Sequence, residues 1–84
     1  MFAAPASAAV CGFTPITSNA VGGGDDGRYE AGVYNHCGSS SNLSVQVNYY
    51  YMHEFACVTP GETTFTAHPD KGALISVKGT GVTC

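Results

Sequence analysis

The stretch LSVQVNYYYMHEFACV, from Leu43 to Val58, carries the clearest pattern in the 84-residue sequence. Apolar and polar residues alternate from Leu43 to Tyr49, and a period of two is typical of a strand with one buried face. The pattern predicts that the odd-numbered side chains point inwards. The stretch is longer than an ordinary strand of about 3–10 residues. We therefore expect a hairpin or a bend near Tyr50 to His53, beyond which the inward parity need not continue.

Shorter strand patterns lie on both sides of this stretch. Val, Thr and Tyr favour strands, whereas Gly, Pro, Asn and Asp favour turns. The expected strands cover residues 11–16, 28–37, 63–67 and 73–78, and residues 79–84 follow the last of them. Pro15 restricts the first strand to a sheet edge. Pro60 and Gly61 occupy the second and third positions of a predicted type II turn.

These segments predict an all-β fold, a small disulfide-stapled antiparallel sandwich or barrel of five to six short strands. We expect one domain over residues 10–84. Residues 1–9 contain Ala6-Ser7-Ala8, which fits the small residues at the cleavage site of a secretory signal peptide. This segment is expected to be the remnant of such a signal or a flexible tail, and the protein is expected to be secreted.

Composition excludes several classes of function. Only three residues are basic and the net charge is −3, which argues against a surface that follows nucleic-acid phosphates. No apolar run approaches the roughly 20 residues of a membrane-spanning helix. No catalytic or phosphate-binding motif occurs. We therefore expect no nucleic-acid partner, no membrane-spanning segment and no cofactor. Whether the protein is an enzyme stays open.

The four cysteines are Cys11, Cys37, Cys57 and Cys84. An even number in a short chain indicates two disulfides, and sequence alone allows three pairings. We prefer Cys11 with Cys37 and Cys57 with Cys84, because each pair would tie one end of the domain to a central strand. Structural zinc sites use closely spaced cysteines, which this chain lacks, and Asp25 with Asp26 offers too few oxygens for calcium, so no metal is expected.

Three blocks of sequence resemble a known family. They are Cys11-Gly12-Phe13, Tyr34-Asn35-His36-Cys37-Gly38 and Ala56-Cys57-Val58-Thr59-Pro60-Gly61, together with the terminal Cys84. The set is similar to a family of small exported actinobacterial proteins of unknown function, which are generally labelled natural product biosynthesis proteins. The resemblance implies a signal peptide, two disulfides and a compact β-rich domain, and it transfers no catalytic residue.

Tyr34 and His36 form one candidate site, because they stand beside the cysteine at position 37. An imidazole commonly serves as a general acid or base. The structural explanation is that Asn35 or His36 satisfies backbone groups where the strand ends at Gly38. The sequence favours that explanation.

Tyr50, Met52 and His53 form a second candidate, a ligand or partner surface. If Tyr49 and Tyr51 face the core, then Tyr50 and Met52 are displayed beside His53, and Tyr and Met are common at adaptable binding surfaces. The structural explanation, cross-strand packing on a sheet covered on both faces, carries equal weight.

Two functions follow from these observations. The first is a secreted accessory protein of natural product biosynthesis that binds a hydrophobic small molecule, with the templating of a cyclisation as one way for it to act. The second is a secreted non-enzymatic binding module, such as an adaptor, inhibitor or toxin subunit. Such a module would dock on a protein or glycan through an aromatic face or a strand edge.

Overall fold

The computed structural model describes residues 10–16 and 27–84, in which the chain forms six strands and no helix. The signal remnant expected over residues 1–9, and Asp25 with Asp26, lie outside the described residues. The strands are β1 (Gly12–Pro15), β2 (Ala31–His36), β3 (Leu43–Tyr49), β4 (His53–Val58), β5 (Gly61–Thr66) and β6 (Leu74–Thr83). The all-β prediction is confirmed.

The strands form two antiparallel sheets of three strands each. Sheet A has the order β1-β2-β5 and sheet B has the order β4-β3-β6. β6 packs against β1 and β2, so the two sheets face each other as a sandwich. β1, which ends at Pro15, is an edge strand as predicted. The expected sandwich of five to six strands is confirmed.

The core lies between the sheets and is small. The side chains of Val45 and Val47 are fully buried, which confirms that the odd-numbered face of β3 points inwards. The remaining buried members of this cluster are Val58, Leu74 and Val77. Half-buried residues that close its margins are Phe13, Tyr34, Leu43, Tyr49, Ala56 and Phe65.

β3 and β4 form the expected hairpin, which turns at residues 50–52 and is closed by a hydrogen bond from the Tyr49 N–H to the Met52 carbonyl (2.7 Å). The register pairs Val47 with Glu54, so odd-numbered residues of β3 oppose even-numbered residues of β4. Directly opposite residues share a face of the sheet. The inward-facing residues are therefore odd-numbered in β3 and even-numbered in β4. Phe55, an odd-numbered residue of β4, faces outwards and is 62% exposed.

The connection between β4 and β5 carries the chain from sheet B to sheet A in two residues, Thr59 and Pro60. Gly61 follows with φ of 99°. This is the left-handed conformation that the third position of a type II turn requires and that glycine adopts without strain.

The last strand is longer than the sequence predicted, and the prediction that it ends at Lys78 was wrong. β6 continues to Thr83 because it forms a bulge, in which Gly79 opposes Val45 but Thr83 opposes Leu43. Gly79, which the sequence placed after the strand, therefore lies within it, at the bulge. Gly79 lies against Tyr34, whose hydroxyl would stand 2.8 Å from any β-carbon placed there.

Both preferred disulfides are present, Cys11–Cys37 and Cys57–Cys84, with Cα–Cα distances of 5.7 and 5.9 Å. They lie at the same end of the sandwich, where β2, β4 and β6 end and where β3 and β5 begin. At the opposite end are the turn at 50–52, the loop at 67–73 and the segment 28–30. The chain is thus covalently tied at one end only.

Candidate functional site

The end of the sandwich opposite the disulfides contains a cleft with a volume of about 470 Å³. Three separate segments form it: the β3–β4 turn, the loop between β5 and β6, and the segment that precedes β2. The lining residues are Arg28, Glu30, Tyr50, Tyr51, Ala67, His68, Pro69, Gly72 and Ala73.

Backbone hydrogen bonds hold these three segments to one another. Tyr29 and Leu74 exchange a reciprocal pair, which fixes segment 28–30 to the start of β6. Further bonds run from the N–H of Tyr50 to the carbonyl of Ala73 (2.8 Å), from Tyr51 to Lys71 (3.0 Å) and from Ala67 to Glu30 (2.8 Å). The walls of the cleft are therefore joined by main-chain contacts, which do not depend on a ligand.

The loop at 67–73 is a tight turn closed on itself. The N–H of Gly72 donates to the carbonyl of His68 (2.7 Å), and the N–H of Asp70 donates to Nδ1 of the His68 ring (3.2 Å). Because Nδ1 accepts a hydrogen bond, the neutral ring carries its proton on Nε2. His68 therefore brings a hydrogen-bond donor to the edge of the cleft.

Gly72 sets the distance between this loop and the tyrosines. Its φ is 91°, a conformation that disfavours any side chain. A β-carbon at this position would stand 2.9 Å from Cβ of Tyr50 and 2.9 Å from Cδ2 of Tyr51. A glycine is needed here for both reasons.

Two tyrosine rings form the aromatic wall. The centroids of Tyr50 and Tyr51 are 5.1 Å apart and the rings are nearly perpendicular, an edge-to-face contact that aromatic pairs favour. The guanidinium of Arg28 lies 4.2 Å from the centroid of Tyr50, and its Nη2 donates to the Tyr50 hydroxyl (3.2 Å). This cation–π contact orients Tyr50, while Tyr51 is left 71% exposed.

An ion pair attaches the loop to β4. Nζ of Lys71 lies 2.9 Å from Oε2 of Glu54, and that hydrogen bond is the main reason that the pKa of Lys71 is raised above its ordinary value. The same ammonium lies 5.2 Å from the ring centroid of Tyr49. Burial raises the pKa of the Tyr49 phenol, with a smaller opposing effect from Lys71.

The structure does not bring the five predicted site residues together. Tyr50 lines the cleft, and Met52 and His53 lie in or beside the same turn. Tyr34 packs at the margin of the core. His36 is buried at the disulfide end, where its Nε2 donates to the carbonyl of Ser41 (2.7 Å). His36 thus satisfies a backbone carbonyl near the end of its strand, as the structural explanation of this residue predicted.

Sequence reasoning missed four cleft residues: Arg28, Glu30, Tyr51 and His68. The sequence considered Tyr51 as a core residue only on the condition that the odd-numbered parity of β3 continued, and Tyr51 instead lies exposed in the turn. A connection over residues 68–72 follows from the predicted strands at 63–67 and 73–78. The contact of this segment with Tyr50 and Tyr51 could not be predicted, because the two segments are far apart in sequence.

No group of three or more His, Cys, Asp or Glu within residues 10–16 and 27–84 is arranged to hold a metal ion. In the same part of the chain, no helix has the length and apolar character needed to cross a bilayer.

The fold and the cleft define a small β-sandwich that is disulfide-stapled at one end and opens into a tyrosine-lined cleft at the other. The family model of DUF6355, a family of unknown function, matches residues 9–84, and the chain belongs to that family. No curated protein and no solved structure matches the chain. The actinobacterial origin and the natural product label stay predictions.

Proposed function

We propose that this protein is a secreted small-molecule-binding protein whose cleft holds a mainly apolar ligand that carries a ring. The observation that carries the proposal is the cleft of about 470 Å³ between Tyr51 and the loop at 67–73. Ligand sites typically have volumes of about 300–1,000 Å³ and combine apolar walls with a few polar groups. The cleft fits that description in both size and composition.

The chemistry of the walls supports a ring-bearing ligand. The exposed face of Tyr51 provides a surface for stacking, because aromatic rings contribute a large apolar area and a preferred geometry. Ala67, Pro69 and Ala73 add small apolar surfaces. Glu30 and His68 provide an acceptor and a donor at the edge, which would orient a ligand that carries a hydroxyl or an amide.

The rigidity of the cleft supports binding without a large cost in entropy. The turn at 50–52 and the loop at 67–73 are joined by main-chain hydrogen bonds and by the Lys71–Glu54 ion pair. A site that is already formed avoids the free energy of ordering its loops when the ligand arrives.

The biological role that we propose is accessory to natural product biosynthesis, and it follows from the resemblance in the cysteine blocks. Holding a flexible precursor in one shape raises the rate at which its ends react, so a cleft without a catalytic motif would still template a cyclisation. Two disulfides in so small a domain are consistent with an extracellular location.

The binding proposal is tested by ligand-detected NMR against a panel of aromatic and polycyclic small molecules. Tyr51→Ala is the test variant and Phe55→Ala is the matched control, because both rings are largely exposed but only Tyr51 lines the cleft. We expect Tyr51→Ala to weaken binding about tenfold, a loss of roughly 1.4 kcal/mol, and Phe55→Ala to leave it unchanged. Equal effects of the two variants, or no ligand in the panel, would contradict the proposal.

The biosynthetic role is tested separately by deleting the gene and comparing the metabolite profile. A lost or uncyclised metabolite supports the role. An unchanged profile argues against it without bearing on the cleft.

The alternative function, a binding module that docks on a protein or glycan, is favoured by a different observation. β4 is an edge strand of sheet B, and it displays the exposed ring of Phe55.

A further inference from the structure

The outer face of sheet B, which points away from sheet A, carries a regular array of six side chains. The register places His53, Asn48 and Ser76 in one row across the three strands, and Phe55, Gln46 and Lys78 in the next. Directly opposite residues of a sheet share a face. We call these six residues the amide face, after the two amides on its central strand.

The amides are held in a hydrogen-bonded chain. Nε2 of Gln46 donates to Oδ1 of Asn48 (2.8 Å), and Nδ2 of Asn48 donates to Oγ of Ser76 (3.0 Å). Each amide nitrogen has a second N–H, and a carbonyl oxygen accepts two hydrogen bonds. The chain therefore fixes the direction of both amides and still leaves donors and acceptors for a partner.

Aromatic rings stand beside the amides on the edge strand. The rings of His53 and Phe55 are 5.9 Å apart in edge-to-face contact. Phe55 lies directly across from Gln46 and is 62% exposed. The exposed face of the Phe55 ring is therefore available for stacking, next to amides whose direction is fixed.

This arrangement fits a sugar better than a protein. A pyranose ring has an apolar C–H face, which would lie on Phe55, and hydroxyls at its edge, which would donate to and accept from Gln46 and Asn48. Protein interfaces usually have an apolar centre and a polar rim. The amide face has the reverse order, since its polar residues are on the central strand and its aromatic residues are on an edge strand.

Charge on the face favours a neutral sugar. Lys78 is the only lysine or arginine among the six, and none of them is an aspartate or a glutamate. Glu54 is directed to the opposite face of β4, where it is paired with Lys71. With a single lysine, the face has no cluster of cations to select an acidic polysaccharide.

We propose that the amide face is a second binding site, which takes a neutral oligosaccharide. Phe55 would supply the stacking surface, and Gln46 and Asn48 would hydrogen-bond the sugar hydroxyls. The proposal rests on the alternative function, docking on a glycan, and names its ligand class. It does not depend on the cleft, which lies at the end of the sandwich and uses other residues.

The test is an NMR titration of the ¹⁵N-labelled protein with cellohexaose, chitohexaose and xylohexaose, with hexagalacturonate as the acidic comparison. We expect at least one neutral sugar to shift the amide signals of β3 and β4, with an affinity that added salt leaves unchanged. Phe55→Ala and Gln46→Ala should each weaken that binding about tenfold. Ile16→Ala, which removes an exposed apolar side chain outside both the face and the cleft, should leave it unchanged.

Four results would overturn the proposal. They are no shift with any neutral sugar, preferred binding of hexagalacturonate, equal affinity of all three variants, and a self-associating wild type that Phe55→Ala makes monomeric in sedimentation. The last result would show that the face contacts a second copy of the chain. A native-like spectrum of each variant, checked first, excludes misfolding as the cause of lost binding.

Discussion

Gly72 lies so close to Tyr51 that a β-carbon built on the glycine would stand 2.9 Å from Cδ2 of the tyrosine ring. The two residues belong to different connections, the loop between β5 and β6 and the turn between β3 and β4. Because Gly72 has no side chain, the backbone of the loop can pack directly against Tyr50 and Tyr51. All three residues line the cleft.

Gly72→Ala is expected to destabilise the fold by about 2–4 kcal/mol, since it combines a left-handed backbone with a steric clash. Gly38→Ala is the matched control. Gly38 also has a positive φ, of 80°, but a β-carbon there meets nothing within 4 Å. We expect it to cost only about 1 kcal/mol. Urea denaturation measures both, and equal losses would show that the contact with Tyr51 is unimportant.

Gly79→Ala tests the bulge of β6. A β-carbon there would stand 2.8 Å from the hydroxyl of Tyr34 and 3.0 Å from Cδ2 of Leu43. We expect a loss of about 1–3 kcal/mol from overpacking. Tyr34→Phe removes the hydroxyl, so the same substitution should cost less in that background. A double-mutant cycle with no coupling energy would contradict the contact.

Each disulfide is expected to contribute about 3–4 kcal/mol, because each closes a loop of similar length, with separations of 26 and 27 residues. Replacing either cysteine pair by serine should therefore lower the free energy of unfolding by a similar amount. Reduction of both should unfold the domain. An unchanged melting temperature in reductant would show that the core alone is sufficient.

Stability is expected to fall at alkaline pH. The pKa of Lys71 is raised above its ordinary value of 10.5, chiefly by the hydrogen bond to Glu54. A pKa that is raised by folding stabilises the protein below the unfolded value, and this contribution is lost as pH rises through the folded value. Burial raises the pKa of Tyr49 above 10.0, and the sign is the same.

Glu54→Gln separates these two contributions. Urea denaturation at a series of pH values above about 9 should show a smaller alkaline loss in the variant than in the wild type, because the main cause of the Lys71 shift is gone. The part due to the burial of Tyr49, the largest cause of its raised pKa, should remain, and Tyr49→Phe should remove it. Parallel pH profiles of the wild type and Glu54→Gln would contradict the assignment to Lys71.

Local patterns were sufficient for the positions of most strands, whereas the cysteines by themselves allowed three pairings. The alternation from Leu43 to Tyr49 predicted the buried face of β3, because one face of a strand must enter the core and side chains alternate along it. The run from Leu43 to Val58 was too long for one strand, which predicted a hairpin or a bend near Tyr50 to His53. Pro60 and Gly61 predicted a change of direction between β4 and β5, where the structure has a bend and Gly61 has a positive φ.

Tertiary structure alone determined the sites. The pairing of Val47 with Glu54 places Phe55 on the outer face of β4, and Tyr51 is exposed in the turn between the two strands. The bulge at Gly79 extends β6, and the cleft joins Arg28, Tyr50 and Gly72 from distant parts of the chain. A local sequence pattern indicates which face of a strand is apolar. It does not record register or the meeting of separate segments, because these depend on contacts between residues far apart in sequence.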